Sequence, residues 1–326
     1  MPAMPPLWSV VLNWKKPDMT SACVRALLAS SYPNHFIVIV DNGSGDGSAE
    51  KLREAFPNLT VIANEHNLGF SRGCNVGVRH ALERGAGYVA LVNNDLIVEP
   101  RGYEDAVREF GRSPRTGAVT GKIFTADGKT LWQAGGHISH LKVSGVARGH
   151  FEPDRGQYDT PGLTGWASGA MSVFSADALR KVGLLPEEYF FGQEEWDIST
   201  NLLNNGFEIA YVPTFIGRHA HGGSYRPHPI LNDYGGTRNR LLYADKYIPT
   251  LWRLPWKAAL WMHLRVVMPG KLRRMSGEHA STIGTRVKAM QLAFSKHTAG
   301  TPVTLEEFSA VSRELGVADS WAPDRP

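Results

Sequence analysis

Two acidic clusters and a pair of histidines are the residues with the clearest capacity for chemistry. Asn93-Asn94-Asp95 closes the apolar run Val89-Ala90-Leu91-Val92. A carboxylate at such a point can hold a hard divalent cation whose remaining positions are filled by phosphate oxygens, although a turn or helix cap explains the same residues. Glu194-Glu195-Trp196-Asp197 follows Tyr189-Phe190-Phe191 and opens a helical pattern. Acidic residues are ordinary in a first helical turn, yet aromatic surroundings raise a carboxylate's proton affinity and suit a general base that takes a proton from a sugar hydroxyl. Either Glu194 or Glu195 fits that role. His219 and His221 stand after a short apolar run, and an imidazole from either would supply a ligand that Asp95 alone lacks.

Two glycine-containing segments complete the set. In Asp41-Asn42-Gly43-Ser44-Gly45-Asp46-Gly47-Ser48 the glycines permit tight turning, Asp46 or Ser48 can cap a helix, and Asp41 can accept a hydrogen bond from a pyrimidine ring N–H. Asn67, Gly69, Arg72, Gly73, Asn75 and Gly77 punctuate the start of the next helix. A helix N-terminus with an arginine favours a diphosphate, whereas close packing of helix on sheet needs only the glycines.

These residues need a scaffold, and the apolar periodicity supplies one. Strands are expected over 9–13, 36–41, 60–63 and 88–92, with helices over 19–30, 48–55 and 72–84 between them. Such alternation implies a mostly parallel sheet with helices on its faces, and ligands in these sheets bind beyond the carboxyl ends of the strands. Those ends carry Asn13, the segment from Asp41 to Ser44, and the segment from Asn93 to Asp95. From 121 to 159 the pattern is Gly-rich and irregular, with short β-like pieces. Regularity returns with a strand over 170–174 and helices over 176–182 and 196–205. After about Asn232 the chain turns helical and basic. The expected organisation is a catalytic domain over 1–231, with a donor half to about 122 and an acceptor half over 123–231, and a helical extension over 232–326.

Composition narrows the functional classes. The chain has 326 residues, 42% hydrophobic and 20% charged, enough for a large core. A net charge of +4 is a mild basic excess rather than a nucleic-acid footprint. Cys23 and Cys74 are the only cysteines, so neither a disulfide framework nor a cysteine zinc site is expected, and a reducing compartment is the simpler setting. The start of the chain lacks a signal-peptide pattern and no apolar stretch reaches the ~20 residues of a spanning helix, so the expected location is cytoplasmic. The tryptophans and basic residues over 252–274 leave two placements open: contact with the inner face of the cell membrane, or burial against the catalytic domain or a second subunit as in a homodimer.

In order, the segments from 7 to 245 resemble family-two inverting nucleotide-sugar glycosyltransferases of the GT-A fold. The resemblance rests on Val40-Asp41-Asn42-Gly43-Ser44, Asn67-Leu68-Gly69-Phe70 with Gly73 and Asn75, Asn93-Asn94-Asp95, Ser168-Gly169-Ala170, Glu194 to Asp197, and Arg238-Asn239. It is strongest toward rhamnosyltransferase-like members that build cell-surface polysaccharides. It implies an α/β, Rossmann-like sheet with a C-terminal helical extension. It also implies donor contacts from Asn13, Asp41, Asn67, Gly69, Arg72, Gly73, Asn75 and Asn94, with Mg2+ or Mn2+ held by Asp95 and His219 or His221. The catalytic carboxylate would be Glu195, with Glu194 as the alternative; Trp166 and Trp196 are candidates for stacking on the acceptor sugar, with core packing an equal reading, and Asp197 is a further acceptor candidate. Asn93 and Glu195 depart from the usual aspartates of the metal motif and the acidic pair.

The implied reaction is direct displacement from a nucleotide-diphosphate sugar such as dTDP-rhamnose or a UDP-sugar onto a glycan or lipid-linked acceptor, with no role for nucleic acid. A sugar nucleotidyltransferase would be expected to carry a Gly-rich loop after its first strand, where this chain reads Asn13-Trp14-Lys15-Lys16-Pro17. A non-catalytic partner subunit would have no need of Asp95 and the Glu194-Glu195 pair.

Overall fold

The computed structural model describes residues 4–219, 228–275 and 277–318. Two compact units emerge. One comprises the chain up to Ile138, Gly145–Pro186 and the segment from Glu194 to His219; the other comprises Ser139–Ser144, Glu187–Gln193 and the chain from His228 onward.

The first unit begins with the expected alternation: β1 (Leu7–Asn13), α1 (Pro17–Leu28), β2 (His35–Asp41), α2 (Ser48–Ala55), β3 (Thr60–Ala63), α3 (Phe70–Glu83) and β4 (Tyr88–Asn93). These four strands are parallel, in the order β4-β1-β2-β3. α1 starts with Pro17, whose missing N–H is lost at no cost in a first turn, and carries Asp18 at its start and Arg25 at its end, in line with the helix dipole.

Beyond β4 the chain continues through β5 (Leu96–Val98), α4 (Gly102–Phe110), β6 (Thr116–Thr125), β7 (Leu131–Gln133), β8 (Gly136–Ser139), β9 (Ser144–Ala147) and β10 (Gly162–Thr164). Then come β11 (Met171–Ser175), α5 (Ala176–Val182), α6 (Glu194–Asn204) and β12 (Glu208–His219). β11 lies antiparallel between β4 and β6, while β12 runs parallel to β6 and carries β10 on its other side. Six strands of this path, β1, β2, β3, β4, β6 and β12, therefore run the same way, as the α/β expectation requires.

β5, α4 and β6 have no counterpart in the sequence-based expectation. β6 is buried along nearly its whole length although it contains Thr116, Gly117, Thr120, Gly121 and Lys122, so its burial is invisible to hydropathy. Gly121 is obligatory there. A Cβ would come 1.8 Å from the Phe215 carbonyl oxygen, where β12 bulges between Val212 and Ile216. Lys122 is buried with its ammonium paired to Asp154 at 3.1 Å and to Asp159, which ties the 149–159 loop to the sheet.

β1 illustrates how the sheet is sandwiched. Leu7 and Val11 face a core with Val24 and Leu27 of α1, whereas Trp8 and Val10 face the opposite core with Cys74 and Val78 of α3. Each such side chain contributes about 1.5–3 kcal/mol when fully buried. Gly73 and Gly77 let α3 approach, since Cβ atoms there would come 2.8 Å from Leu12 and 2.5 Å from Val10.

In the second unit, α7 (Pro229–Tyr247) packs with α10 (Gly277–Lys296) and α11 (Leu305–Leu315). The position 231/232 falls inside α7. A buried polar chain joins α7 to α11 and to His297, the residue after α10. Arg238 donates to Glu307 at 2.9 Å and to His297 Nδ1 at 2.6 Å, and His297 Nε2 meets Asp245 at 2.7 Å. Because arginine cannot accept, Nδ1 must, and the His297 proton sits on Nε2 toward Asp245.

Candidate active site

The carboxyl ends of β1, β2 and β4 are joined by one hydrogen-bonded chain. Asn94 Nδ2 donates to Thr20 Oγ1 at 3.0 Å, Thr20 donates to Asn13 Oδ1 at 2.6 Å, and Asn13 Nδ2 donates to Asp41 Oδ1 at 2.6 Å. Ser44 closes the chain, donating its hydroxyl to Asp41 Oδ1 at 2.6 Å and its amide to Oδ2 at 3.1 Å. The Lys15 amide in turn donates to Ser44 Oγ at 2.8 Å, and Lys15 has a left-handed backbone, φ 55°. Asp41 is 3% exposed, so these donors hold a carboxylate that would otherwise be costly to bury. Asn13, Asp41 and Asn94 thus come together as expected from the strand ends. Ser44 belongs to the expected strand-end segment, whereas Thr20, which connects Asn94 to Asn13, lies in no motif.

A second bundle of amides sets the loop before α3. Asn42 Nδ2 donates to Asn67 Oδ1 at 2.9 Å and to the Gly69 carbonyl at 3.1 Å, while its Oδ1 accepts from Asn64 and the Leu68 amide. Gly43, with φ +70°, permits this approach, because a Cβ would come 2.3 Å from the His66 carbonyl carbon. Asn67 and Gly69 therefore shape the loop from within. Arg72 is exposed on the first turn of α3.

Two of the expected donor residues also have packing tasks. Gly73 makes room for Leu12 and the Asn42 amide. Asn75, 1% exposed, exchanges two hydrogen bonds with the Leu185 backbone at 2.8 and 3.1 Å.

Asp95 lies just past β4, and the last residue of β12 brings His219 Nε2 to 2.9 Å from its Oδ1. Both are buried, with Trp132 5.3 Å from the imidazole. Burial, reinforced by the charge of Asp95, pushes the nearby Cys23 thiol up to about 12. One carboxylate oxygen and one imidazole nitrogen form a donor pair that suits Mn2+ and, less well, the oxygen-preferring Mg2+. Among the described residues no group of three or more metal-ligating side chains exists, so substrate oxygens would have to complete the shell. His221 lies outside the described residues.

The acidic cluster starts α6, and the preceding Gly192 and Gln193 both have left-handed backbones, φ 84° and 66°. Asn239 of α7 donates to the carbonyls of Phe191 and Gly192 at 2.9 and 2.7 Å, within the second unit. Glu194 is buried, and its charge adds to the burial that raises the Cys74 thiol. Glu195 is only partly buried and lies against Gly169, where a Cβ would stand 3.7 Å from its Oε2. The next residue, Ala170, accepts a hydrogen bond from Asn93 N at 2.9 Å, which brings Glu195 to the end of β4 that carries Asp95.

Trp196 and Asp197 are buried, and the indole edge of Trp196 fills the space a side chain on Gly145 would need. Stacking on a sugar needs an open ring face, which the burial of Trp196 leaves little of. Trp166 remains partly exposed, edge-on to Trp196 at 6.4 Å.

The sheet thus gathers a buried aspartate at the end of β2 and an Asp–His pair past β4 at one edge, and comparison with known proteins places this arrangement among glycosyltransferases. Residues 10–183 match the sequence profile described as "Glycosyl transferase family 2", and the chain belongs to that family. It is 25% identical over 260 residues to the N-acetylglucosaminyl-diphospho-decaprenol L-rhamnosyltransferase of Mycobacterium tuberculosis, spanning 71% of this chain and 83% of that protein. The galactofuranosyltransferase GlfT1 of the same organism is 23% identical over 61% of this chain and 65% of its own length.

Among solved structures, a mannosyltransferase from Pyrobaculum calidifontis in complex with GDP-Man and Mn2+ aligns with a TM-score of 0.56 and 15% identity over 90% of this chain and 87% of that one. GalNAc-T7 with UDP, GalNAc and Mn2+ aligns with a TM-score of 0.60 and 14% identity over 91% and 57%. Both likenesses concern the fold.

Proposed function

We propose that this enzyme transfers a sugar, with inversion, from a pyrimidine nucleotide diphosphate to a hydroxyl of a glycan or lipid-linked acceptor in cell-surface polysaccharide synthesis. The observation that carries the reading is the placement of Glu195 against Gly169, whose neighbour Ala170 is bonded to Asn93: a proton acceptor and Asp95 share one strand edge. Asp41 Oδ2 accepts the ring N–H of uracil or thymine. Arg72 and the start of α3 favour the diphosphate. Glu195 takes the proton of the acceptor hydroxyl, whose oxygen bonds to the anomeric carbon as the bond to the diphosphate breaks on the opposite face. Asp95 and His219 would hold Mn2+ or Mg2+, which supplies charge stabilisation to the departing diphosphate.

The Mycobacterium tuberculosis rhamnosyltransferase supports a rhamnosyl donor such as dTDP-rhamnose over other pyrimidine donors, including UDP-sugars, and an acceptor on a lipid diphosphate. The test is incubation with dTDP-rhamnose or UDP-sugars, Mn2+ and a polyprenyl-diphosphate sugar. Formation of a lengthened lipid-linked product with release of nucleoside diphosphate supports the proposal. Pyrophosphate chemistry, or donor binding without any turnover, would refute it.

A further inference from the structure

The helices after α7 turn an apolar face to solvent. α8 (Thr250–Met262), a π-helical turn (His263–Val267) and α9 (Met268–Leu272) form one continuous helical stretch. Gln291 supports it by donating to the Leu264 carbonyl at 2.6 Å within the widened turn. No residue of α8 is buried. Its polarity is inverted relative to an ordinary surface helix. Lys257 points inward to Asp245 Oδ1 at 2.6 Å, and Arg253 donates to the Asp245 carbonyl at 2.8 Å. Leu251, Trp252, Leu254, Trp261, Met262 and Val266 point outward, at 49–76% exposure.

Charge identifies the occupant of this face. Between 247 and 277 the chain has six basic residues and no Asp or Glu. Arg265, Lys271, Arg273 and Arg274 are all exposed beside the apolar residues. A second copy of the chain would set these cations against themselves across a two-fold axis. An anionic bilayer takes the leucines into its acyl boundary, the tryptophans at the interface, and the cations at its headgroups. Among the described residues no helix is long and apolar enough to cross a membrane, so the stretch would lie in the interface plane.

We propose that the outward face of α8 and α9 docks this protein on an anionic lipid surface. Flotation of the full chain with phosphatidylcholine vesicles, with and without phosphatidylglycerol, tests this at low and high salt. Binding is expected with the anionic vesicles at low salt, weakened by screening. Joint Trp252→Glu and Trp261→Glu substitution should reduce it at least about tenfold, as should Arg273→Glu with Arg274→Glu. Both variants replace exposed residues, so their circular dichroism and their hydrolysis of a soluble nucleotide sugar should match wild type, which separates docking from the proposed transfer. Absence of flotation with anionic vesicles at low salt overturns the proposal. So does a dimer in sedimentation that the tryptophan substitutions dissolve.

Discussion

His219 Nε2 and Asp95 Oδ1 lie 2.9 Å apart although 124 residues separate them in the chain. The pair forms because β5, which follows Asp95, pairs antiparallel with the last residues of β12, setting His219 opposite Leu96.

If this pair holds a divalent cation, nucleoside diphosphate binding should tighten on adding Mn2+ and weaken with chelator. Asp95→Ala should remove that difference and His219→Ala should shrink it. Titration calorimetry of UDP and dTDP with and without Mn2+ measures both. Identical affinities for the wild type in the two conditions would rule out metal-assisted donor binding.

Glu195→Gln should lower kcat by about 10²-fold or more with the donor KM nearly unchanged, because the proton acceptor is lost and the nucleotide contacts are kept. Glu194 is buried beside Cys74, so Glu194→Gln should act on stability more than on the chemical step. Near-normal turnover of the Glu195 variant alongside an inactive Glu194 variant would move the base one residue back.

Thr20→Val removes the hydroxyl that links Asn94 to Asn13. It leaves buried amide groups without their partner, at a cost of about 1–3 kcal/mol. Urea denaturation should show that loss, and donor affinity should fall with it, since Asn13 orients Asp41 together with Ser44. A variant with wild-type stability and affinity would show that the chain of bonds is not what holds the pocket.

At the opposite end of β2, His35 meets Ser9 Oγ at 2.8 Å and packs edge-on to Tyr103, and burial lowers its pKa from 6.5 to about 4. Between those values the unfolded chain binds the extra proton, so stability rises with pH. The contribution is complete above about pH 6.5 and is lost as pH falls toward 4, an effect of at most about 3 kcal/mol. Unfolding free energies at several pH values should show this slope, and His35→Gln should flatten it. An equal slope in the variant would assign the dependence to other groups.

Much of the parallel sheet and its polar strand ends was legible from the chain alone because its signals are local. Alternating apolar residues bounded by Asn13, Asp41 and Asn93 give parallel strands whose ends collect polar groups, and the 7–93 segment folds as that pattern requires. The acidic start of α6 was equally readable, since it depends only on neighbours in sequence. Tertiary structure decided what depends on distant partners. β6 is buried through pairing with β11 and β12 and not through hydropathy. Thr20, Ser44 and Asn42 matter for the groups they bridge. That Gly73, Asn75, Trp196 and Asp197 are all buried also follows from packing and not from local pattern. The same holds for α8, whose helical wheel left two orientations open. Asp245 draws Lys257 and Arg253 inward, and the apolar face is left outside because satisfying buried charge takes precedence over covering every apolar side chain.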